Sequence, residues 1–372
     1  MGISYWEHKT WLSNVDFTVV GSGIVGLNCA IHLRKRYPAA KILVLERGVL
    51  PLGASTKNAG FACFGSISEI LSDLKKHTEE EIVGLVQKRW DGVQLLRNTL
   101  GNTVLDYRQY GGHELFLDSD TALFENCRQR MDAVNALLRP VFGERPFVEH
   151  DNTFNFHKIK DSYITNRFEG QIDTGKAMQG LLRLAQQQGV LLLNGVSVKD
   201  FSDGASQVKI NTDAFEFETN KLLVATNGLA SSLLAVEVEP ARAQVLITKP
   251  ISDLHIKGCF HFDEGYYYFR NIDNRILFGG GRNLDLKTER TDKFGETEHI
   301  QTRLDNLLRE VVLPRVTFEV DRRWSGIMGI GEQKHPIVKQ LSDNVYCGVR
   351  LGGMGIAIGS LVGKELAELT LP

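Results

Sequence analysis

The apolar run "DFTVV" at residues 16–20 enters Gly21-Ser22-Gly23-Ile24-Val25-Gly26, and helical spacing begins inside that turn. Ile24, Leu27, Ile31 and the aliphatic part of Arg34 share one stripe, which predicts a helix over 24–36. "KILVLE" at 41–46 reads as a second buried strand. Strand, helix and strand in this order make a βαβ unit, which commits the chain to a parallel sheet. In a GxGxxG turn the first glycine permits a tight bend, and the second lets backbone approach a pyrophosphate at the helix N-terminus. The third allows close helix–strand packing. Glu46 ends the second strand about 20 residues on, where a carboxylate binds ribose hydroxyls and opposes a 2′-phosphate. A dinucleotide site for FAD or NAD, and not NADP, is the expectation; a purely structural turn is the plain alternative.

FAD and NAD share this fingerprint, so the choice rests on other segments. Just past the second strand, Gly53-Ala54-Ser55-Thr56-Lys57-Asn58-Ala59-Gly60 is built from small and hydroxyl residues. Such a loop suits close wrapping over a long cofactor, against the alternative of an ordinary surface loop. Near the C-terminus, "VRLGGMGIAIGS" at 349–360 follows the strand-like "NVYCGV" and precedes the helix-like "LVGKELAEL". A second strand, glycine turn and helix start is a second anion or dipole site, more than 300 residues from the first.

Between these ends, residues 79–100 and 120–138 carry helical spacing and many charges, so they read as helices outside the sheet. Residues 173–188 predict a helix with Asp173 as N-cap and Gly189 just past its end. "QVKINTDAFEFET" at 207–219 alternates like a hairpin wet on one face, and "KLLVAT" at 221–226 returns to a buried strand. "RAQVLITKP", "GYYYFRNIDNRILFGGG" and "RVTFEVDRRWSGI" read as further strands, with Asp273-Asn274 as a turn and a helix over 298–311 between them. Nucleotide-type segments thus fall at the start, middle and end of the chain. The expected division is a FAD-binding domain from 1–75, 166–240 and 326–372, with a substrate domain from 76–165 and 241–325.

A length of 372 residues fits two interleaved lobes, and 42% hydrophobic with 24% charged content is ordinary for a soluble chain. The net charge of −2 gives no field for nucleic acid or acidic lipid. Five scattered cysteines without a CxxC pair point to a reduced, cytoplasmic protein with no structural metal. No run of about 18 apolar residues is present to span a membrane, and the first residues have no apolar stretch of the signal-peptide kind.

"DFTVVGSGIVGLNCAIHL", "LERGVLPLGASTKNAG", "KLLVATNG", "YYYFRNIDNRILFGGG" and "VYCGVRLGGMGIAIGSLVGKELAE" together resemble the FAD-dependent amine and amino-acid oxidoreductases. That group holds D-amino-acid oxidase, the glycine and sarcosine oxidases and γ-glutamylputrescine oxidase, and "SYWE" near the N-terminus is similar to the last. The resemblance spans nearly the whole chain in order. It implies an α/β fold with a doubly wound, Rossmann-type FAD domain and an interleaved antiparallel-sheet substrate domain. It implies FAD contacts from Gly21, Ser22, Gly23, Ile24, Val25, Gly26, Glu46 and Arg47, and from Ser55, Thr56, Asn58, Ala59 and Gly60. Val198, Thr226, Asn227 and Gly228 join them. Gly352, Gly353, Met354 and Gly355 would face the flavin, where a helix N-terminus supports the charge of the reduced ring.

Tyr266 and Tyr268 lie two apart on one predicted strand, and by resemblance Tyr266 approaches the substrate; packing in the sheet is the alternative. Arg270 reads as an ion-pair residue and Lys57 as a loop charge. Amino-acid-oxidising relatives often read W-x-G-[L/I]-R-P, with the arginine on the substrate carboxylate. Here the run is Trp324-Ser325-Gly326-Ile327-Met328-Gly329, and Met328 cannot pair with a carboxylate. Arg350, beside the flavin turn, is either a substitute clamp or a surface ion pair. Sarcosine-oxidase-like relatives carry an oxygen-activating lysine where this chain has Leu277 and Phe278, so dioxygen or another electron acceptor is open. No Cys or His stands at a flavinylation position, so the FAD is expected to be non-covalent.

The expected reaction is oxidation of a C–N bond in a small amine or amino acid by hydride transfer to flavin N5, giving an imine. No catalytic base is identified. The alternatives are an NAD-dependent dehydrogenase using the same fingerprint and a FAD-bearing interaction protein without catalysis.

Overall fold

The computed structural model describes residues 2–371. Five parallel strands form the centre of one sheet, in the order Val345–Val349, Glu216–Val224, Val15–Val20, Ile42–Glu46 and Leu191–Asn194. The near-continuous apolar sequences of Val15–Val20, Ile42–Glu46 and Val345–Val349 are what a sheet buried on both faces requires. Val19, Val44 and Leu223 point to one face, where they pack with Leu27 and Leu33 of the Ile24–Arg36 helix, Leu181 of Thr174–Gln187 and Val362 of Gly355–Glu368. Their neighbours Val20, Leu45 and Val224 point to the other face. That face is closed by Val208, Ile210 and Phe217 of a β-hairpin and by Ala230 and Leu234. Strand, hairpin and 3-10 turn thus replace helices as the second covering layer.

The second arm of the expected hairpin and the expected "KLLVAT" strand are one continuous strand, Glu216–Val224. Its first half pairs with Val208–Thr212, and its second half enters the parallel sheet between Val15–Val20 and Val345–Val349.

The second sheet runs Val320–Ile330, Glu239–Thr248, Arg275–Gly280, Tyr267–Ile272, Cys259–Phe262, Gly112–Glu114, Ser162–Asn166 and Phe147–Asp151. All pairings are antiparallel except Cys259–Phe262 with Gly112–Glu114, which is parallel. The antiparallel expectation rested on hairpins within each segment. The parallel joint lies where two segments distant in sequence meet edge to edge, so no short turn dictates its direction.

Local signals account for the ends of several helices and for one tight turn. Thr78 and Glu81 form a capping box at the start of Glu79–Leu100, which ends at Gly101 with φ +82°. Thr121–Phe142 outruns its expected end at 138. Pro140 removes one donor in the last turn, and the chain turns out at left-handed Gly143. Asp173 caps Thr174–Gln187 by accepting from Lys176 N. Asp273 and Asn274 both have positive φ in the tight turn between Tyr267–Ile272 and Arg275–Gly280. The helical turns over Tyr5–Glu7 and His8–Leu12 were not foreseen. No helix among the described residues is long and apolar enough to cross a membrane.

Candidate functional site

The first glycine turn is shaped by its contacts with the sheet. Gly21 has φ +104°, and a Cβ there would meet Ala225 O at 2.9 Å. Gly26 packs directly on the Gly21 carbonyl, which fixes the helix against the strand. Gly23 stands at the helix N-terminus without any side-chain cap, while Ile24 N–H donates to Ser55 Oγ at 2.9 Å. Ser22 does not line the cavity. Its Oγ and N–H donate to Glu46 Oε2 at 2.8 and 3.1 Å, and Gly48 N–H donates to Oε1 at 2.9 Å. These bonds fix the Glu46 carboxylate at the cavity wall beside Arg47.

The 53–60 loop is held by the Thr174–Gln187 helix and by the second sheet. Asn58 donates its amide to Ala54 O and Ser55 O, both at 3.0 Å. Its Oδ1 accepts from Gly60 N at 2.8 Å and Thr174 Oγ1 at 3.0 Å. Trp324 Nε1 donates to Lys57 O at 2.9 Å, and Gly326 leaves room for the Lys57 side chain. Arg270 is buried, and instead of an ion pair it donates Nη1 to Gly60 O and Ile172 O at 3.1 and 2.6 Å. Ser55, Asn58, Ala59 and Gly60 line the cavity; Thr56 turns away, donating to Pro51 O at 2.6 Å.

At the C-terminal turn, Leu351 N–H donates to Asn227 Oδ1 at 3.1 Å and Gly352 N–H to Gly329 O at 2.9 Å. Asn227 holds φ +47°, and Gly228 packs on the Met328 carbonyl rather than on the cavity. A Cβ built on Gly352 or Gly353 meets nothing within 4 Å, and the Gly355–Glu368 helix begins with no side-chain cap. Two helix N-termini that lack a side-chain cap from their own N-cap residue therefore open onto one cavity of about 930 Å³, at the upper end of ligand cavities. Val198 and Thr226 line it between them, as do Met354 and Gly355. A long ligand with an anionic group at one turn and a polar ring edge at the other fits these donors.

Tyr266, Tyr268 and Met328 line the same cavity, Tyr268 meeting Phe61 edge-on at 5.7 Å between centroids. Burial pushes the Tyr268 hydroxyl up to about 12, so it stays protonated. Arg350 also reaches the wall, in a left-handed conformation at φ +64°. Its Nε donates to His335 O at 3.1 Å and its Nη1 to Glu237 O at 3.3 Å, with the Glu237 carboxylate at 3.9 Å. The guanidinium braces two loops by these bonds.

Sequence reasoning missed Glu69, Arg89, Glu169 and His261, which also line the cavity. Nothing in their local sequence marks them, because they lie on four separate segments that meet around the cavity only in the folded chain. Burial lowers the His261 imidazole below its ordinary value, so it is neutral there. Burial raises Glu169 to about 7, against the opposing hydrogen bonds from Phe64 N and Gly65 N. Because its folded value lies above the ordinary 4.5, the native state binds this proton more tightly than the unfolded chain. The contribution of Glu169 to stability then falls as pH rises from about 4.5 to about 7 and is level above that window. Glu169→Gln is expected to flatten the decline of Tm across that window in thermal melts. An unchanged pH slope in the variant would contradict the assignment.

The profile of a family described as FAD dependent oxidoreductase matches residues 16–369. Probable oxidoreductase OrdL of Haemophilus influenzae is 22% identical over 382 residues, covering 97% of this chain and 84% of that protein. Gamma-glutamylputrescine oxidoreductase of Escherichia coli is 22% identical over 377 residues, covering 95% and 83%. Glycine oxidase from Geobacillus kaustophilus superimposes with a TM-score of 0.76 at 18% identity, over 95% of this chain and 94% of that one. L-proline dehydrogenase from P. horikoshii gives 0.75 at 17%, over 96% and 93%. The fold is shared with these structures.

Proposed function

Since this chain belongs to the FAD dependent oxidoreductase family, we propose that it oxidises the carbon–nitrogen bond of a small amine or amino acid. The observation that carries the reading is the single cavity joining the Gly21–Gly26 and Gly352–Gly355 turns, with aromatic side chains beside the second. The residues present fit FAD. Gly23 and the N–H groups at its helix start would hold the pyrophosphate, Glu46 the ribose, the 53–60 loop the length of the molecule, and Gly353 and Met354 the ring. FAD, when bound, supplies the acceptor for two electrons and the hydrogen on the carbon beside nitrogen. The chain's own part is to orient that carbon, exclude water and support negative charge at the second turn.

Tyr266, Tyr268 and Phe61 offer aromatic walls for the reacting carbon. Tyr268 stays protonated and His261 neutral, so neither adds charge to the wall. Neutral amine nitrogen needs no dedicated base, and the electrons leave to dioxygen or to another acceptor. Five buried free cysteines fit a reducing, cytoplasmic setting. The lobes would divide near residues 75, 165, 240 and 325, with FAD held by the outer and middle segments.

The test is an anaerobic panel of amines, N-methylated amines and amino acids, read by loss of the visible colour of bound flavin. Bleaching by at least one amine class is expected. A photoreducible FAD that none of them bleaches would favour a non-catalytic role. In the same panel, Arg350→Ala should lower stability by about 1–3 kcal/mol through its lost carbonyl bonds, with carboxylate-bearing and carboxylate-free substrates affected alike. Selective loss of carboxylate-bearing substrates would make Arg350 the clamp after all.

A further inference from the structure

Arg89 is 7% exposed, lies on the Glu79–Leu100 helix and lines the cavity. Its Nη1 donates to Phe64 O at 2.7 Å, and its Nε has no partner. Among the described residues it forms no ion pair, although three acids act on it from nearby. Each of those acids holds partners of its own, although Glu169 Oε2 has none. Glu69 Oε2 accepts from Ser66 N at 3.0 Å, and Asp73 pairs with Lys334 at 2.6 Å. Glu169 Oε1 accepts from Phe64 N at 2.6 Å and Gly65 N at 3.2 Å. The counter-charges of Arg89 act only from beyond ion-pair distance, so its unused N–H donors can take an anion that enters the cavity. Of the other arginines that line the cavity, Arg47 is exposed, Arg282 is half-buried, and Arg350 has its arms on two carbonyls; Met328 offers no charge.

We propose that Arg89 is the anion-recognition residue of the substrate chamber, so that the preferred amine also carries a carboxylate. The proposal rests on the amine-oxidation reading for its substrate but not for its anion site. The planar guanidinium, anchored through Nη1, keeps the Nη2 donors, which no protein group takes, for a carboxylate in the cavity. Charge-assisted bonds of this kind set the expected preference at about tenfold to a hundredfold over a neutral analogue.

Isothermal titration of the FAD-loaded protein with butyrate and butyramide, and with benzoate and benzamide, reads the anion site without turnover. Wild type is expected to bind each carboxylate at least about tenfold more tightly than its amide, and Arg89→Gln to lose that preference while keeping FAD. Arg89→Lys, which keeps the charge but not the fork, should retain part of it. Equal binding of acid and amide by wild type overturns the proposal, whatever the variants do. So does an Arg89→Gln protein that keeps the preference, or one that loses FAD while Arg89→Lys keeps both FAD and the full preference. A preference seen in wild type and reduced in Arg89→Lys supports the site even if Arg89→Gln fails to fold. If carboxylates bind through Arg89 but no amine bleaches the flavin, the anion site stands and the amine reading fails.

Discussion

Gly23→Leu is expected to fold and to purify without flavin colour. Gly23 has φ −72° and ψ −177°, a backbone open to any residue, so the substitution brings no strain of conformation. The Cβ would meet only Ser55 Oγ, at 2.9 Å, and a serine hydroxyl can rotate aside. The rest of the leucine then occupies the space at the helix start, where the proposed reading puts the pyrophosphate. Loss of two charge-assisted N–H bonds to phosphate costs about 3–6 kcal/mol, which exceeds a hundredfold in Kd. Flavin absorbance per chain, set beside far-UV circular dichroism, checks it. Gly26→Ala is the contrasting control, because its Cβ overlaps the Gly21 carbonyl and disturbs the fold itself. A folded Gly23→Leu protein with a full complement of FAD would remove the assignment of this turn.

Gly353→Val should keep FAD but lower its reduction potential. A Cβ at Gly353 meets no protein atom within 4 Å, so the added bulk enters the cavity in front of the second helix N-terminus. Charge beside a helix terminus is worth about 0.3–1 kcal/mol, and up to about 2 kcal/mol when partly buried. For a two-electron couple about 1.4 kcal/mol corresponds to about 30 mV, so a decrease of about 10–40 mV is expected on pushing the ring away from those donors. A dye-equilibration titration measures it. An unchanged potential in a folded, loaded variant would mean that the turn closes the fold without tuning the flavin.

Much of the fold was legible because its signals are local. Periodicity and the Thr78–Glu81 capping box delimit Glu79–Leu100, and Ile24–Arg36 follows from one apolar stripe. The Asp273-Asn274 turn needs only two residues that tolerate positive φ. At the site, both glycine turns and the 53–60 loop were legible, since backbone that approaches a ligand demands small residues in order. Ser22, Thr56 and Gly228 sit in the same motifs but face Glu46, Pro51 and Met328. A motif states which residues are small or polar, not which side of the turn each presents. Arg89, Glu169 and His261 come from three distant segments and meet only through tertiary packing. The bracing of Gly60 by Arg270, 210 residues away, is invisible for the same reason.

The central claim, that bound FAD takes electrons from a C–N bond, is tested most directly by a stoichiometric anaerobic titration. The loaded protein is mixed with increments of the best amine of the panel, and flavin colour and carbonyl product are measured after each addition. The account predicts that one equivalent of amine fully reduces one equivalent of FAD and releases one equivalent of carbonyl compound after the imine hydrolyses. FAD that light or dithionite reduces, but that stays oxidised beside every amine and amino acid with no carbonyl formed, would contradict it.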